Sequence, residues 1–274
     1  MSDDDKIIKI LFFGDMVGKP GRYAVRDFLE EHKAEYDFVI ANVENASHGF
    51  GLTEKNYNDL ISYGVNAMTS GNHIWDKRDI FTYIQNADKL IRPINYPATT
   101  PGAGSRVFDC GDYKIAVLNI LGKVFVNIVD FQWEKILEEI KRLKEITPIV
   151  IVDFHGEATA EKICFGRYCS ELGVSAFLGT HTHVQTADEK ILNGTTGYIT
   201  DAGFCGAVDS VIGMDYKTSL TRFITNIPER YEVAESNEVQ INAVEIDIDV
   251  NTGCAKAIKR IFCSRDNEKE DESQ

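Results

Sequence analysis

The sequence predicts an α/β protein with mixed sheets, and three observations lead there. Apolar runs of strand length alternate with helical stripes along most of the 274 residues, the pattern of strands joined by helical crossovers into a largely parallel sheet. Near the C-terminal end the pattern changes to strict alternation, with Val244, Ile246, Ile248 and Val250 set against Glu245, Asp247 and Asp249, as in an antiparallel hairpin with one wet face. Apolar residues make up 43% of the chain, which at this length supports a large core without a disulfide or metal staple.

Taken in order, Ile7 to Phe13 is an uninterrupted apolar run and the first buried strand. A helix follows over Arg22 to Glu31, then a strand over Asp37 to Val43. Thr53 is a natural N-cap for a helix over Glu54 to Tyr63, because its hydroxyl accepts from backbone N–H groups that have no helical partner. Val65 to Ser70 is the third strand, Lys77 to Ile84 a short helix, and Lys114 to Leu121 the fourth strand. Between Phe131 and Lys144, Trp133, Ile136, Leu137, Ile140 and Leu143 share one helical stripe, which reads as core packing. Strands over Ile149 to Phe154 and Ser175 to Gly179 flank a helix over Ala158 to Leu172. The late hairpin turns at Asn251-Thr252-Gly253 into Lys256 to Phe262. No linker or repeat divides the chain, so residues 1–264 are expected as one domain and 265–274 as a charged, disordered tail.

Composition excludes several classes. With 29 basic and 43 acidic residues the net charge is −14, which argues against long nucleic acids, whose binding draws on Lys and Arg neutralising phosphates. A small phosphate ester stays open, because bound divalent cations invert the local potential. The six cysteines show no Cys-x-x-Cys spacing, against a thiolate zinc site or disulfide framework. No apolar run approaches membrane length and the N-terminus is acidic, so the expectation is a cytoplasmic protein without a membrane partner.

Polar residues gather just after the strands: Asp15 after the first, Glu44-Asn45 after the second and Asn72-His73 after the third. His155 follows the strand at Ile149 to Phe154, and His181-Thr182-His183 follows the last. The C-terminal ends of strands in an α/β sheet share one rim, where ligands bind. Imidazole, carboxylate and amide donors suit Mn²⁺, Fe²⁺ or Zn²⁺. In an extended segment residues i and i+2 face the same side about 6.6 Å apart, so His181 and His183 can serve two neighbouring ions. Asp15 and Glu44 would then set two negative charges against four positive ones, leaving an excess for a phosphate and for a water whose pKa falls toward about 7. His73 remains free to protonate a leaving oxygen.

These motifs, Gly14-Asp15-Met16-Val17-Gly18-Lys19-Pro20-Gly21-Arg22, Asn42-Val43-Glu44-Asn45-Ala46, Gly49-Phe50-Gly51-Leu52-Thr53, Gly71-Asn72-His73-Ile74-Trp75-Asp76, Asp153-Phe154-His155-Gly156-Glu157 and Gly179-Thr180-His181-Thr182-His183, occur in that order. Together they resemble the YmdB-like family of calcineurin-type metallophosphoesterases. The resemblance implies a four-layer α/β/β/α sandwich and a phosphodiesterase that uses two divalent ions, Mn, Fe or Zn, with cyclic nucleotides as leading substrates. By position, it implies that Asp15, Glu44, Asn45 and His183 hold one ion. Glu44 would bridge to a second ion held by Asn72, His155 and His181, with His73 as general acid. Two departures from the wider calcineurin-like pattern stand out: no histidine follows Asp15 at the second position, and Ile74 stands where an acid would orient His73. The alternatives are a catalytically weak metal- or nucleotide-binding regulatory protein and a phosphomonoesterase on the same site. Oligomeric state, a homo-oligomer included, is left open.

Overall fold

The first strand, β1 (Ile7–Phe13), is apolar throughout because both of its faces are covered. Ile8, Ile10 and Phe12 point to one side, Leu11 and Phe13 to the other. In this computed structural model, residues 6–126, 130–236 and 238–266 are described. After β1 come β2 (Asp15–Met16), α1 (Gly18–His32), β3 (Phe38–Asn42), α2 (Glu54–Ser62), β4 (Ala67–Thr69) and α3 (Ile80–Tyr83). The middle of the chain supplies β5 (Ser105–Cys110), β6 (Tyr113–Leu121), α4 (Trp133–Ile146), β7 (Val150–His155), α5 (Thr159–Glu171) and β8 (Ala176–Thr180). It closes with β9 (Lys190–Leu192), β10 (Thr196–Ile199), β11 (Phe204–Ala207), α6 (Tyr216–Thr225), β12 (Glu238–Asp249) and β13 (Ala255–Asp266).

The strands form two sheets. One runs β2-β11-β12-β1-β3-β4, with β13 on the far edge of β12; the other runs β5-β6-β7-β8-β10-β9. Ile10, Phe12 and Ile40 of the first interleave with Val117, Ile151 and Leu178 of the second. The outer face of the first sheet is covered by Val25, Phe28 and Leu29 of α1 and Leu60 of α2. Ile136, Ile140 and Leu143 of α4 and Phe165 of α5 cover the outer face of the second. The result is the expected α/β/β/α sandwich. Among the described residues no helix is long and apolar enough to cross a membrane, and the six cysteines are unpaired.

The structure corrects several local expectations. Helix α1 starts at Gly18 rather than Arg22, because Pro20 sits in the first turn, where its missing N–H forfeits no helical bond. The helix expected over Lys77 to Ile84 contracts to four residues; Asp79 turns away to accept the Glu54 N–H at 3.1 Å, beside the start of α2. The late hairpin is no appendage. β12 holds β1 along one edge and β13 along the other, so Ile246 and Ile248 join the inter-sheet core. Asp249, expected on the wet face, is buried and accepts the Asn251 and Thr252 N–H groups at 2.9 and 3.1 Å to shape the turn. β13 continues through Arg265 and Asp266, two residues into the expected tail; residues 267–274 lie outside the described residues.

Candidate functional site

The parallel strands β1, β3 and β4 of one sheet and β7 and β8 of the other end on the same side. Each delivers its polar residue there. Asp15 is fully buried on β2, and its Oδ2 accepts the His181 N–H at 3.0 Å. Its Oδ1 lies 3.7 Å from His155 Nδ1 and 3.9 Å from His183 Nε2. Glu44, in the turn after β3, reaches across to the second sheet, with Oε2 2.5 Å from His155 Nε2. His155 Nε2 is also 3.0 Å from His181 Nδ1. Glu44, His155 and His181 thus offer donor atoms within 4.8 Å of one another.

Close approach here requires glycine. A Cβ on Gly71 would collide with Glu44 Oε2 and the His155 ring, so the Gly71-Asn72-His73 turn lies directly on the two ligand candidates. Among the described residues, Asn72 Oδ1 and Asn45 Oδ1 are buried without a hydrogen-bond partner, as are Asp15 Oδ1 and Glu44 Oε2. Asn45 is held by its other side-chain atom, Nδ2 donating to the Gly49 carbonyl at 2.8 Å.

Neighbouring groups fix the imidazoles. Thr180 Oγ1 donates its proton to Asp153 Oδ1 at 2.7 Å, so the same hydroxyl accepts from His155 Nδ1–H at 2.9 Å and leaves the Nε2 lone pair turned to the crevice. His183 Nδ1–H donates to the Ile212 carbonyl at 2.8 Å, with the same consequence at its Nε2. Such bonds set tautomer and ring direction in metal-ligating histidines. Burial holds the imidazoles neutral, pushing His155 down to about 4, His181 down to about 3, and His183 below its ordinary value.

The same burial pushes the carboxyls of Asp15 and Glu44 up to about 7 each. A lone pair on His155 facing a Glu44 oxygen at 2.5 Å is a contact between two acceptors, and only a proton or a cation relieves it. Four buried oxygens without partners and three neutral imidazoles therefore fit a divalent-metal site in both number and chemistry.

A second layer holds this set in place. Asn42 Nδ2 donates to Asp153 Oδ2 at 2.9 Å, tying β3 to β7 across the sandwich beneath the crevice. His181 and His183 take φ values of +103° and +64°, a region that costs a non-glycine residue on the order of 1–3 kcal/mol. Lys162, fully buried on α5, donates to the Thr180 carbonyl and to Asp201 Oδ2, each at 2.7 Å. Asp201 Oδ2 in turn accepts the Thr182 N–H and hydroxyl at 3.0 and 2.7 Å. The turn is thereby clamped from below.

Sequence reasoning left His73 without an orienting partner, and the structure supplies one. His73 Nδ1 lies 2.8 Å from Asp76 Oδ2, three residues on rather than adjacent. This leaves Nε2 facing inward, 3.9 Å from Glu44 Oε1. Phe50 packs edge-on against the His73 ring at 4.8 Å. The turn running from His73 to Asp76 is closed by an Asp76 N–H bond to the His73 carbonyl at 3.0 Å, which brings Asp76 back onto the ring. Above the crevice opens a cavity of about 870 Å³, walled by Glu44, Asn45, His73, His181 and His183 on one side and by α6 on the other.

Over residues 11–261 the chain matches the family described as YmdB-like protein. It is 45% identical over 262 residues to the 2′,3′-cyclic-nucleotide 2′-phosphodiesterase of Bacillus subtilis strain 168, covering 95% of this chain and 98% of that one. A crystal structure of a novel phosphatase from Mycoplasma pneumoniae superposes with a TM-score of 0.87 at 36% identity, over 96% of this chain and 95% of the other. A hypothetical protein from Thermus thermophilus gives a TM-score of 0.87 at 33% identity, over 94% and 99%.

Proposed function

The chain belongs to the YmdB-like protein family, and from that premise we propose that it is a divalent-metal-dependent phosphodiesterase acting on small phosphodiesters, 2′,3′-cyclic nucleotides foremost. The observation that carries the reading is the pair of buried, partnerless oxygens on Asp15 and Glu44 that meet the imidazoles of His155 and His183, with His181 against His155 and two more unpartnered oxygens on Asn45 and Asn72. In this reading Asp15, Glu44, Asn45 and His183 hold one ion. Glu44 would also serve a second, with Asn72, His155 and His181. Mn²⁺, Fe²⁺ and Zn²⁺ all accept such donors. When bound, the ions supply positive charge to the phosphate and make water acidic enough to attack at neutral pH.

The remaining steps belong to the chain's own residues. With only the Asp15 and Glu44 carboxylates among the donors, the crevice would favour a phosphate anion once ions are bound. Asp76 accepts from His73 Nδ1–H and fixes the ring; as the acid the ring is the imidazolium, which the Asp76 carboxylate favours and whose second proton, on Nε2, is the transferable one. As water oxygen bonds to phosphorus and the bond from phosphorus to the ester oxygen breaks, that proton passes to the departing oxygen, and the product is a phosphomonoester. The absence of thiolates from the site and the six unpaired cysteines suit work in a reducing cytoplasm.

The test is turnover of bis-p-nitrophenyl phosphate and of 2′,3′- and 3′,5′-cyclic AMP by the purified chain, with and without Mn²⁺, alongside elemental analysis. Metal-dependent hydrolysis with two ions per chain is expected. No metal-dependent turnover on any of the three would overturn the reading.

A further inference from the structure

Helix α6 has no buried residue, yet it carries Tyr216, Leu220 and Phe223 at i, i+4 and i+7, a single helical stripe that lines the cavity. Phe223 is 85% exposed and Tyr216 57%, so large rings face open space rather than a core. Opposite them, a line of rings leads out of the site: His73 lies against Phe50 at 4.8 Å, and Phe50 lies 6.0 Å from Tyr231. Arg222 fastens this wall to the helix, stacking on the Tyr231 ring at 4.0 Å and donating to the Glu229 carbonyl. The cavity of about 870 Å³ falls within the roughly 300–1,000 Å³ of small-molecule pockets, far more than a phosphate alone fills.

We infer that this aromatic-lined cavity is a nucleobase platform: the base of the substrate stacks on the α6 stripe and the Phe50–Tyr231 wall while its phosphate sits in the polar crevice. The inference rests on the phosphodiesterase reading and extends it to the part of the substrate that does not react. Position favours it. The nucleoside hangs from the oxygen that His73 protonates, and the ring line begins at His73. A flat π-face also suits exposed aromatics that the fold itself does not use, and stacking is indifferent to which base is present. Binding energy gained away from the reacting bond orients the phosphate for attack.

Calorimetry on the Mn²⁺-loaded chain tests it with adenosine 3′-phosphate, uridine 3′-phosphate and glycerol phosphate, the last having the same charge and no base. Phe223 is almost wholly exposed, so Phe223→Ala should fold normally, and Tyr216→Ala gives an independent variant. In each, the preference for both nucleotides over glycerol phosphate should fall on the order of tenfold. An unchanged preference in both variants overturns the inference. Mn²⁺-dependent hydrolysis of 2′,3′-cyclic AMP and of bis-p-nitrophenyl phosphate is measured in parallel on the wild-type chain; absence of both would count against the phosphodiesterase reading and leave the calorimetric result intact.

Discussion

At the scale of single residues, His73 and Glu44 separate two roles that one assay would merge. His73→Ala should keep its metal by elemental analysis and lose about 10²- to 10⁴-fold in turnover, the usual contribution of a general acid. Asp76→Asn keeps the proton carrier but loosens its ring, so it should lose less. An inactive His73→Ala that also lacks metal would show that the imidazole is a ligand. Glu44→Gln should lose metal, and it carries a second signature. The folded chain holds the Glu44 carboxyl at about 7 against an ordinary 4.5, so ionising it opposes folding. Without metal, stability therefore falls as pH rises from about 4.5 through 7. Chelator-treated Glu44→Gln should melt higher than chelator-treated wild type at pH 8, and the gap should close near pH 4; a gap that widens toward acid would refute the buried charge. The donors were legible in the sequence because chemistry restricts them to a few residue types at strand ends. Asp76 was not, because its partnership depends on how one turn folds back, and the reading sought an acid immediately after His73.

At the scale of elements, the clamp beneath the His181-Thr182-His183 turn is the most consequential pair. Lys162→Met leaves the Asp201 carboxylate buried against Thr182 with no cation, and removing one partner of such a pair costs about 3–5 kcal/mol. Urea denaturation of the metal-free chain should register that loss, and a drop below about 1 kcal/mol would mean that the turn holds itself. Lys162 did not stand out in the sequence. A lysine on a helix reads as solvated surface, and nothing local says that α5 drives Lys162 into the core. Long apolar runs such as Ile7–Phe13 were legible because both faces are covered. β10 and β11, four residues each with a glycine inside, carry too little pattern to be seen. Helix α6 was missed for the opposite reason: its apolar residues serve the cavity, so they mark no side as core.

At the scale of the whole molecule, the crevice joins residues from Asp15 to His183 and both sheets, so occupancy should register as global stability. Binding to the folded chain alone stabilises it by RT ln(1 + [L]/Kd), about 2.7 kcal/mol at a hundred times Kd. Adding EDTA should therefore lower Tm by several degrees, and Mn²⁺ should restore it; an unmoved Tm would place the ions elsewhere or nowhere. The sandwich itself was foreseeable only in part. Alternating strands and helices imply a parallel sheet, but which strands become neighbours is set by long-range packing. The strict alternation near the C-terminal end therefore gave the antiparallel hairpin of β12 and β13 but not the pairing of β12 with β1.

That placement of β12 bears on how the chain is made. β1 leaves the ribosome long before residues 243–249, on which one whole edge of it waits. Until those residues arrive an oily strand stands with its backbone amides and carbonyls bare on that side. Nascent chains of this protein are thus open to chaperones, and to one another, until β12 emerges, and no shortened product ending before β12 can assemble the crevice around Asp15.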